Sequence, residues 1–547
     1  MYQQCRRAGQ QPRPAYIWSM RTPAILACLF VLLAPVACVW LDLLAHPAAW
    51  AVYSEVPRLG VLFGNTLALA GLASVVSFGF GVPLALAIER TRWRGQSLVD
   101  VALMIALFVP LPVWAIAWQA VFQSVLPSLT LEPGTVAWRA WRIGLVPAAW
   151  VHGVAAIPWV VGFCRTLLRT AERSLEDDAT MLRGPRSVWR LVLWPRLRPA
   201  LLLGLAWVLV QCATEIAVTD AMMVQTLAEE AYAQLVAGLP GVQRTLALIL
   251  PCWIAAIATA LLLRPPSRWP ANVPTLSTRP PLPWLWVLAV WVSLSAAFLL
   301  PLSALILRAA GVPPSLTGFG RQCVQVATGE WRVILQSLAW CALSAWGCAA
   351  LARQACWRAR QSSRFGWLLA IVCLALFLLP APVLGLGLKR CIASLVDLET
   401  RLFGSSGPFA ALLYELPSPL PAMWAWACRG VPVACLLLWP AVQAIPQELL
   451  DAGRLDGHTP ALQQRLVLHP ATRSAFLFSI FTVTGLSLAE VGASKLVAPP
   501  GADGFILRLF AQMHYGAEAT VAALSLLQLA ASAIPALAVI AFFRGRR

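Results

Sequence analysis

The chain has 547 residues, 60% of them hydrophobic and 12% charged, with a mean hydropathy of +0.74. A soluble domain cannot bury that share of apolar surface, so lipid is part of its solvent, and lipid admits only helices or a closed barrel. The net charge of +18 comes from 41 basic and 23 acidic residues. Its arginines sit in short loops between apolar runs and form no basic stripe, which excludes nucleic acid as a partner and fits a membrane protein with positive loops on one side.

The apolar runs are roughly 20 residues long, not alternating runs of about 10, so helices are expected rather than a barrel. Spans are predicted near 23–44, 61–88, 99–122, 143–167, 199–219, 243–263, 284–307, 333–352, 366–388, 422–444, 474–494 and 520–543. The fold class is an all-α membrane protein of about twelve transmembrane helices, built as two six-helix units. The first run is too long for the apolar part of a cleaved signal, so a retained helix is expected.

With the N-terminus inside, every inside segment is rich in arginine, from Arg6, Arg7, Arg13 and Arg21 to Arg544, Arg546 and Arg547. Both lysines, Lys389 and Lys495, fall outside. This places both termini in the cytoplasm. Residues 264–283 are rich in Pro, Ser and Thr and read as a cytoplasmic linker between halves 1–263 (core 61–263) and 284–547 (core 333–543). The 14 cysteines lie mostly inside apolar runs and show no metal spacing. Cys323 and Cys391 are the two that are placed outside and free to pair. Many of the 26 tryptophans, Trp40, Trp50 and Trp284 among them, fall near span ends as interface anchors.

Between its fourth and fifth spans each half carries a polar segment, Leu175 to Leu201 and Glu448 to Ala475. Aligned on Gly184 and Gly457, Asp178-Ala179 falls on Asp451-Ala452. Pro195 and Pro470 follow, 11 residues after the glycine in the first half and 13 in the second; from each Pro to Glu215 or Glu490 is 20 residues. An acid early in a short helix suits the helix dipole, and a glycine suits its C-terminal cap. A second short helix is expected to run to the Pro, where the chain turns back into the membrane. The result is a helix–turn–helix knob at the cytoplasmic face, and matched repeats of this kind point to transport.

Glu215 and Glu490 are placed about 16 residues into their helices, or roughly 24 Å at 1.5 Å per residue. Intramembrane charge suggests a translocation pathway, set against a hydrated carboxylate at a helix end. Arg429, inside the tenth span, is a third candidate without a twin. No phosphate-binding GxxxxGK[ST], no HExxH and no triad is present, and His46, His152, His458, His469 and His514 are scattered. The chain is therefore read as no enzyme by itself, with no cofactor and no metal site.

The paired segments resemble the EAA loop of ABC importer permeases, E-A-A, three residues, G, nine residues, I-x-L-P. The second half matches as Asp451-Ala452-Gly453, Gly457 and Val467-Leu468-His469-Pro470. The first keeps Asp178, Ala179, Gly184 and Pro195. Asn65-Thr66-Leu67 with Gly81-Val82-Pro83 is similar to the start of a permease domain. Leu488 to Gly516, with Pro499-Pro500-Gly501, Arg508 and His514-Tyr515-Gly516, and the matching Glu215 to Tyr232, resemble fused permeases of the ferric iron and thiamine type. The resemblance implies a type I importer in the inner membrane. Two ATP-binding cassette subunits would dock on the two loops and a periplasmic substrate-binding protein would deliver cargo. Ferric iron is the first cargo expectation and thiamine the second, with oxyanions, polyamines and phosphonates behind. An ion-coupled 6+6 secondary transporter and a membrane scaffold are the other readings.

Overall fold

The structure is a computed structural model that describes residues 21–54, 56–124, 143–168, 173–236, 242–262, 281–311, 313–404, 407–513, 515 and 518–544. Helices account for nearly all of these, and no strand occurs among them. In the first half they are α1 (Arg21–Ala45), α2 (Val56–Arg90), α3 (Gln96–Leu107), α4 (Leu111–Ser124), α5 (Leu145–Leu168), α6 (Arg173–Arg183), α7 (Pro185–Val188), α8 (Trp194–Thr214), α9 (Ala217–Ala221), α10 (Leu227–Val236) and α11 (Val242–Leu262). The second half has α12 (Trp284–Leu294), α13 (Leu300–Ala309), α14 (Leu316–Gln361), α15 (Ser363–Leu378), α16 (Ala381–Phe403), α17 (Leu420–Gln443), α18 (Gln447–Leu455), α19 (Pro460–Gln463), α20 (His469–Leu488), α21 (Ser494–Val497), α22 (Phe505–Gln512) and α23 (Glu518–Arg544).

Among the described residues nine helices are long and apolar enough to cross a membrane, and two bent pairs raise this to eleven. The expected twelve is reached only by adding the shorter apolar stretch Val242–Ala258 at the sixth place. The two bent pairs correct the spans expected at 99–122 and 366–388. α3 meets α4 at 109° and α15 meets α16 at 107°. Each break holds a Pro-x-Pro, Pro110-Leu111-Pro112 or Pro380-Ala381-Pro382. Proline lacks the N–H that would continue the helix and pushes the residue before it out of helical backbone, as at Leu379 with ψ 128°.

Each half has a triplet of mutually packed helices, α2 with α5 and α8 in the first, α14 with α17 and α20 in the second. The outer helices cross over. α1 packs on α16 and α11 on α15, while α13 packs on α4. The apolar cores follow the same exchange, since Leu29, Val39 and Leu250 join the second-half cluster and Leu294 and Ala304 join the first. Close approach makes this possible at Gly387, where a Cβ would overlap the backbone carbonyl of Pro35. The 46 residues of α14 would span roughly 69 Å at 1.5 Å per residue, more than twice the hydrocarbon thickness of about 30 Å. The helix is therefore too long to lie wholly within the hydrocarbon.

Of the linker expected at 264–283, all but the last three residues lie outside the described ones; Leu282 donates its N–H to Arg92 at 3.1 Å. Cys323 and Cys391 do not pair: both are free, and Cys391 is buried on α16 with its thiol against Cys38. Trp284 is 71% exposed as an anchor would be, but Trp114 and Trp118 are buried core residues.

Candidate functional site

The two polar segments fold alike. In the first, α6 carries Asp178 and Ala179 and ends at Gly184, whose φ is +79°. In the second, α18 carries Asp451 and Ala452, and Gly457 has φ +75°. Both glycines thus take the positive φ that favours glycine, Gly184 with extended ψ of 175°. At Gly457 the cap is a Schellman motif: His458 N–H donates to Gly453 at 2.9 Å and Gly457 N–H to Arg454 at 3.1 Å. At Gly184 the Ser187 hydroxyl reaches back to the Ala179 carbonyl.

The unequal spacing between glycine and proline is confined to this turn. Pro185 follows Gly184 directly, whereas His458 and Thr459 intervene before Pro460, with Thr459 capping the Leu462 N–H at 3.3 Å. From Pro185 and Pro460 onward the halves keep the same spacing to Pro195 and Pro470, and on to Glu215 and Glu490.

Pro195 and Pro470 do not turn the chain into the membrane, as the sequence suggested. The helix runs straight through each of them. A π turn lies just before, Trp189–Leu193 in one half and Gln464–Leu468 in the other. Trp194 N–H donates to the Trp189 carbonyl and His469 N–H to that of Gln464, five residues back in each case. The widened turn makes room for a ring that has no N–H to give, so the proline is absorbed rather than obeyed.

Two arginines whose role sequence reasoning missed hold the first segment and the approach to the second. Arg90, the last residue of α2, pairs with Glu176 of α6 at 2.7 Å and reaches the Leu168 carbonyl at 3.4 Å. Arg360, near the end of α14, donates to the carbonyls of Val442 and, at 2.6 Å, Ile445. Ala179, Leu450 and Gly453 are buried against their own segments. Large apolar side chains project outward beyond them: Met181 is 85% exposed, Leu182 81% and Leu455 89%.

The pathway candidates are corrected in place and brought together in space. Neither acid lies within a helix. Glu215 follows the last residue of α8 with extended backbone, φ −100° and ψ 141°, and Glu490 lies two residues past α20. Each carboxylate caps the short helix after it. Glu215 accepts from the N–H of Ala217 at 2.6 Å and of Val218 at 3.1 Å. Glu490 accepts from the N–H of Ala493 at 2.7 Å and Ser494 at 3.0 Å, and from the Ser494 hydroxyl. Amide donors of this kind offset the cost of a carboxylate away from water.

Glu215, Glu490 and Arg429 all line one cavity of about 230 Å³ between the halves. Its wall includes Trp159 and Trp207, stacked with ring centroids 3.9 Å apart, and Phe377. Arg429 donates to the Phe377 carbonyl at 3.4 Å, and Ala155 lines the cavity from α5, the first-half counterpart of α17. Phe108, at the bend after α3, presses on Gly485 of α20 so closely that a Cβ there would overlap its ring.

A further matched contact secures the segments after the acids. Thr66 of α2 accepts the Leu227 N–H at 3.2 Å and Ser337 of α14 accepts the Phe505 N–H at 3.0 Å. Asn65 adds a bond to the Gln225 carbonyl at 3.0 Å. The signal was present in the sequence as Asn65-Thr66-Leu67-Ala68 against Gln336-Ser337-Leu338-Ala339. Arg508 pairs with Glu330 at 2.9 Å, while His514 and Gly516 lie outside the described residues. No group of three or more His, Cys, Asp or Glu side chains able to hold a metal occurs among the described residues.

A membrane bundle whose halves enclose a polar-edged cavity, and each of which carries a helix–turn–helix at its end, has the form of a transport permease. Comparison with known proteins agrees. The chain is 26% identical over 203 residues to the sulfate transport system permease protein CysT of Salmonella typhimurium, and 29% identical over 205 residues to CysT of Escherichia coli. Each match covers 35% of this chain and 69% of the relative. No family model matches the chain.

Proposed function

We propose that this chain is the membrane-spanning permease of a binding-protein-dependent ABC importer, two six-helix permease repeats (1–263 and 284–547) joined by the 264–283 linker. The observation that carries this reading is the matched pair of capped knobs with exposed apolar tips, each continuous with a helix that ends at a cavity acid. Two ATP-binding cassette subunits dock on α6–α7 and α18–α19, one on each, and supply the ATP hydrolysis. The arginine-rich ends favour a cytoplasmic position for the knobs and both termini, and the permease relatives favour the inner membrane. A periplasmic binding protein delivers cargo at the opposite end.

The mechanism follows from the continuity of the helices. Because the π turns leave α7–α8 and α19–α20 unbroken, a shift at the knob is passed along the rod to Glu215 or Glu490 as rigid-body motion. The ion-coupled alternative needs acids free to bind a cation. Here both carboxylates are occupied by amide and hydroxyl donors.

For the cargo, the relatives' names favour a sulfate-like oxyanion, and they lend no support to ferric iron or thiamine. Arg429 is the single cation among the described residues lining the cavity. Uptake of labelled sulfate that depends on this chain supports the oxyanion; uptake of labelled iron instead restores the ferric expectation.

The first test is a gentle-detergent pull-down of the tagged chain from its host, beside Gly457→Arg. Positive φ and open space at Gly457 mean that arginine strains the cap by ~1–2 kcal/mol and projects into the docking face. An ATPase subunit recovered with wild type and depleted in the variant is the expected result. Absence of any ATPase with wild type, under conditions that keep known complexes intact, overturns the reading.

A further inference from the structure

Several buried polar atoms lack a hydrogen-bond partner among the described residues, and one of them stands beside a cavity acid. His152 of α5 is fully buried, and its Nε2 has no hydrogen-bond partner among the described residues. That nitrogen lies 3.9 Å from Oε2 of Glu215, just beyond hydrogen-bond length. A buried donor left so near an acceptor is costly unless the contact closes at some stage.

The neighbours fix which way the imidazole is protonated. Trp207 donates its indole N–H to Oε1 of Gln211 at 3.1 Å, which turns the amide nitrogen of Gln211 toward His152. That nitrogen is 3.4 Å from Nδ1 of His152 and 3.4 Å from its carbonyl oxygen. A donor at Nδ1 makes Nδ1 the acceptor, so the proton of the neutral ring sits on Nε2, aimed at Glu215. Trp207 is also half of the stacked pair with Trp159 in the cavity wall. A polar line thus runs from that wall to His152 and stops one open contact short of the acid.

The second half has no such line. In register with Trp207, Gln211 and Glu215 stand Thr482, Leu486 and Glu490, and Trp426 of α17 also lines the cavity. Trp426 donates to the Ser494 hydroxyl at 3.0 Å, and Ser494 donates to Glu490. Glu490 has its third donor already in place. Glu215 has backbone amides alone among the described residues, with a side-chain donor held in reserve.

We propose that His152 is a positioning residue for Glu215: held as the Nε2–H tautomer by Trp207 and Gln211, it takes the carboxylate from its amide cap when the cavity wall moves, which makes Glu215 the movable acid and Glu490 the fixed one. The motion in this statement rests on the transport reading; the tautomer does not. The consequence is a one-sided pathway within a two-fold frame.

The test is nitrogen-15 NMR of the histidine-labelled chain in lipid nanodiscs, with the His152 signal identified by its loss in His152→Gln. The expected wild-type spectrum shows a protonated Nε2 and a bare Nδ1. Trp207→Phe removes the indole N–H and leaves a smaller aromatic ring for the stack; Gln211→Leu installs the residue found in the second half. Both should shift the proton toward Nδ1. A wild-type ring protonated at Nδ1, or a signal unmoved by both substitutions, overturns the proposal. In the complex locked with ATP, the Nε2 signal should move to a strongly hydrogen-bonded position, and move less in Glu215→Gln; identical signals with and without ATP overturn the swing. The resting spectrum requires neither cargo nor ATPase, so its failure is separable from a failed pull-down.

Discussion

The two halves share a skeleton and differ in what hangs on it. Both bend at a Pro-x-Pro, both pass a proline through a π turn, and both end the following helix at an acid that caps the next one. A matched rim contact even survives with its charges exchanged. Arg58 of α2 pairs with Glu230 of α10, whereas Glu330 of α14 pairs with Arg508 of α22. What differs lies in the knob turn, which has two extra residues in the second half, and in the cavity, where Arg429, Trp159, Trp207 and Gln211 are unmatched. Backbone geometry is thus held where force must pass, and side chains diverge where partners and cargo are met. The two ends of the machine answer to different constraints.

Four experiments break or sharpen this comparison. The largest effect is expected from Gly387→Leu, because the Pro35 backbone cannot yield as a flexible side chain would. Thermal unfolding in detergent should show a loss of about 1–3 kcal/mol or more, with Gly71→Ala, which has open space around it, as a control that loses nothing and gains up to about 1 kcal/mol. A stable Gly387→Leu protein would mean that α1 is not seated on α16. Next come the knob tips. Leu455→Asp, and Met181→Asp with Leu182→Asp, each place charge where an apolar interface is expected, for a loss of about 2 kcal/mol in ATPase association. Titration of the ATPase onto the immobilised chain reads this, and a large effect at one knob with none at the other would show that only one is used.

A smaller effect is expected from Thr66→Ala and Ser337→Ala. Each removes the acceptor of one hydrogen bond, buried at Thr66 and half-buried at Ser337 and worth about 0.5–1.5 kcal/mol; the further bond of Thr66 to the Leu62 carbonyl within its own helix adds little, so denaturation midpoints should fall by similar amounts. Unequal falls would end the equivalence of the two contacts. Smallest of all is the exchange Arg58→Glu with Glu230→Arg, which gives the first half the polarity of the second. Partly exposed pairs are worth about 0–1 kcal/mol, so the double variant should match wild type while each single variant is slightly weaker.

The helical class, the half-to-half match and the three residues that meet at the cavity were legible in the sequence, because apolar run length and repeated spacing are one-dimensional signals. The breaks were not. Pro110 and Pro380 bend their spans, yet Pro195, Pro470, Pro158 and Pro432 sit inside continuing helices, and no local rule separates the two outcomes. What decides is whether a π turn or a neighbouring helix accommodates the ring. Glu215 and Glu490 were read as mid-helix residues because apolar residues continue past them; only the three-dimensional caps reveal the ends. Crossing contacts such as α1 on α16 leave no mark on composition at all.

That crossing has a consequence for how the molecule is made. Trp424 donates to the Val31 carbonyl and the Cys428 thiol to that of Leu32, pairs separated by 393 and 396 positions along the chain. α1 therefore reaches its resting place only after most of the residues that follow it have been synthesised. Until then it must wait in lipid with its groove-facing side unfilled. Cutting the gene at the linker into two separately expressed pieces should give two products that mature only together, and each made alone is a natural target for membrane proteolysis.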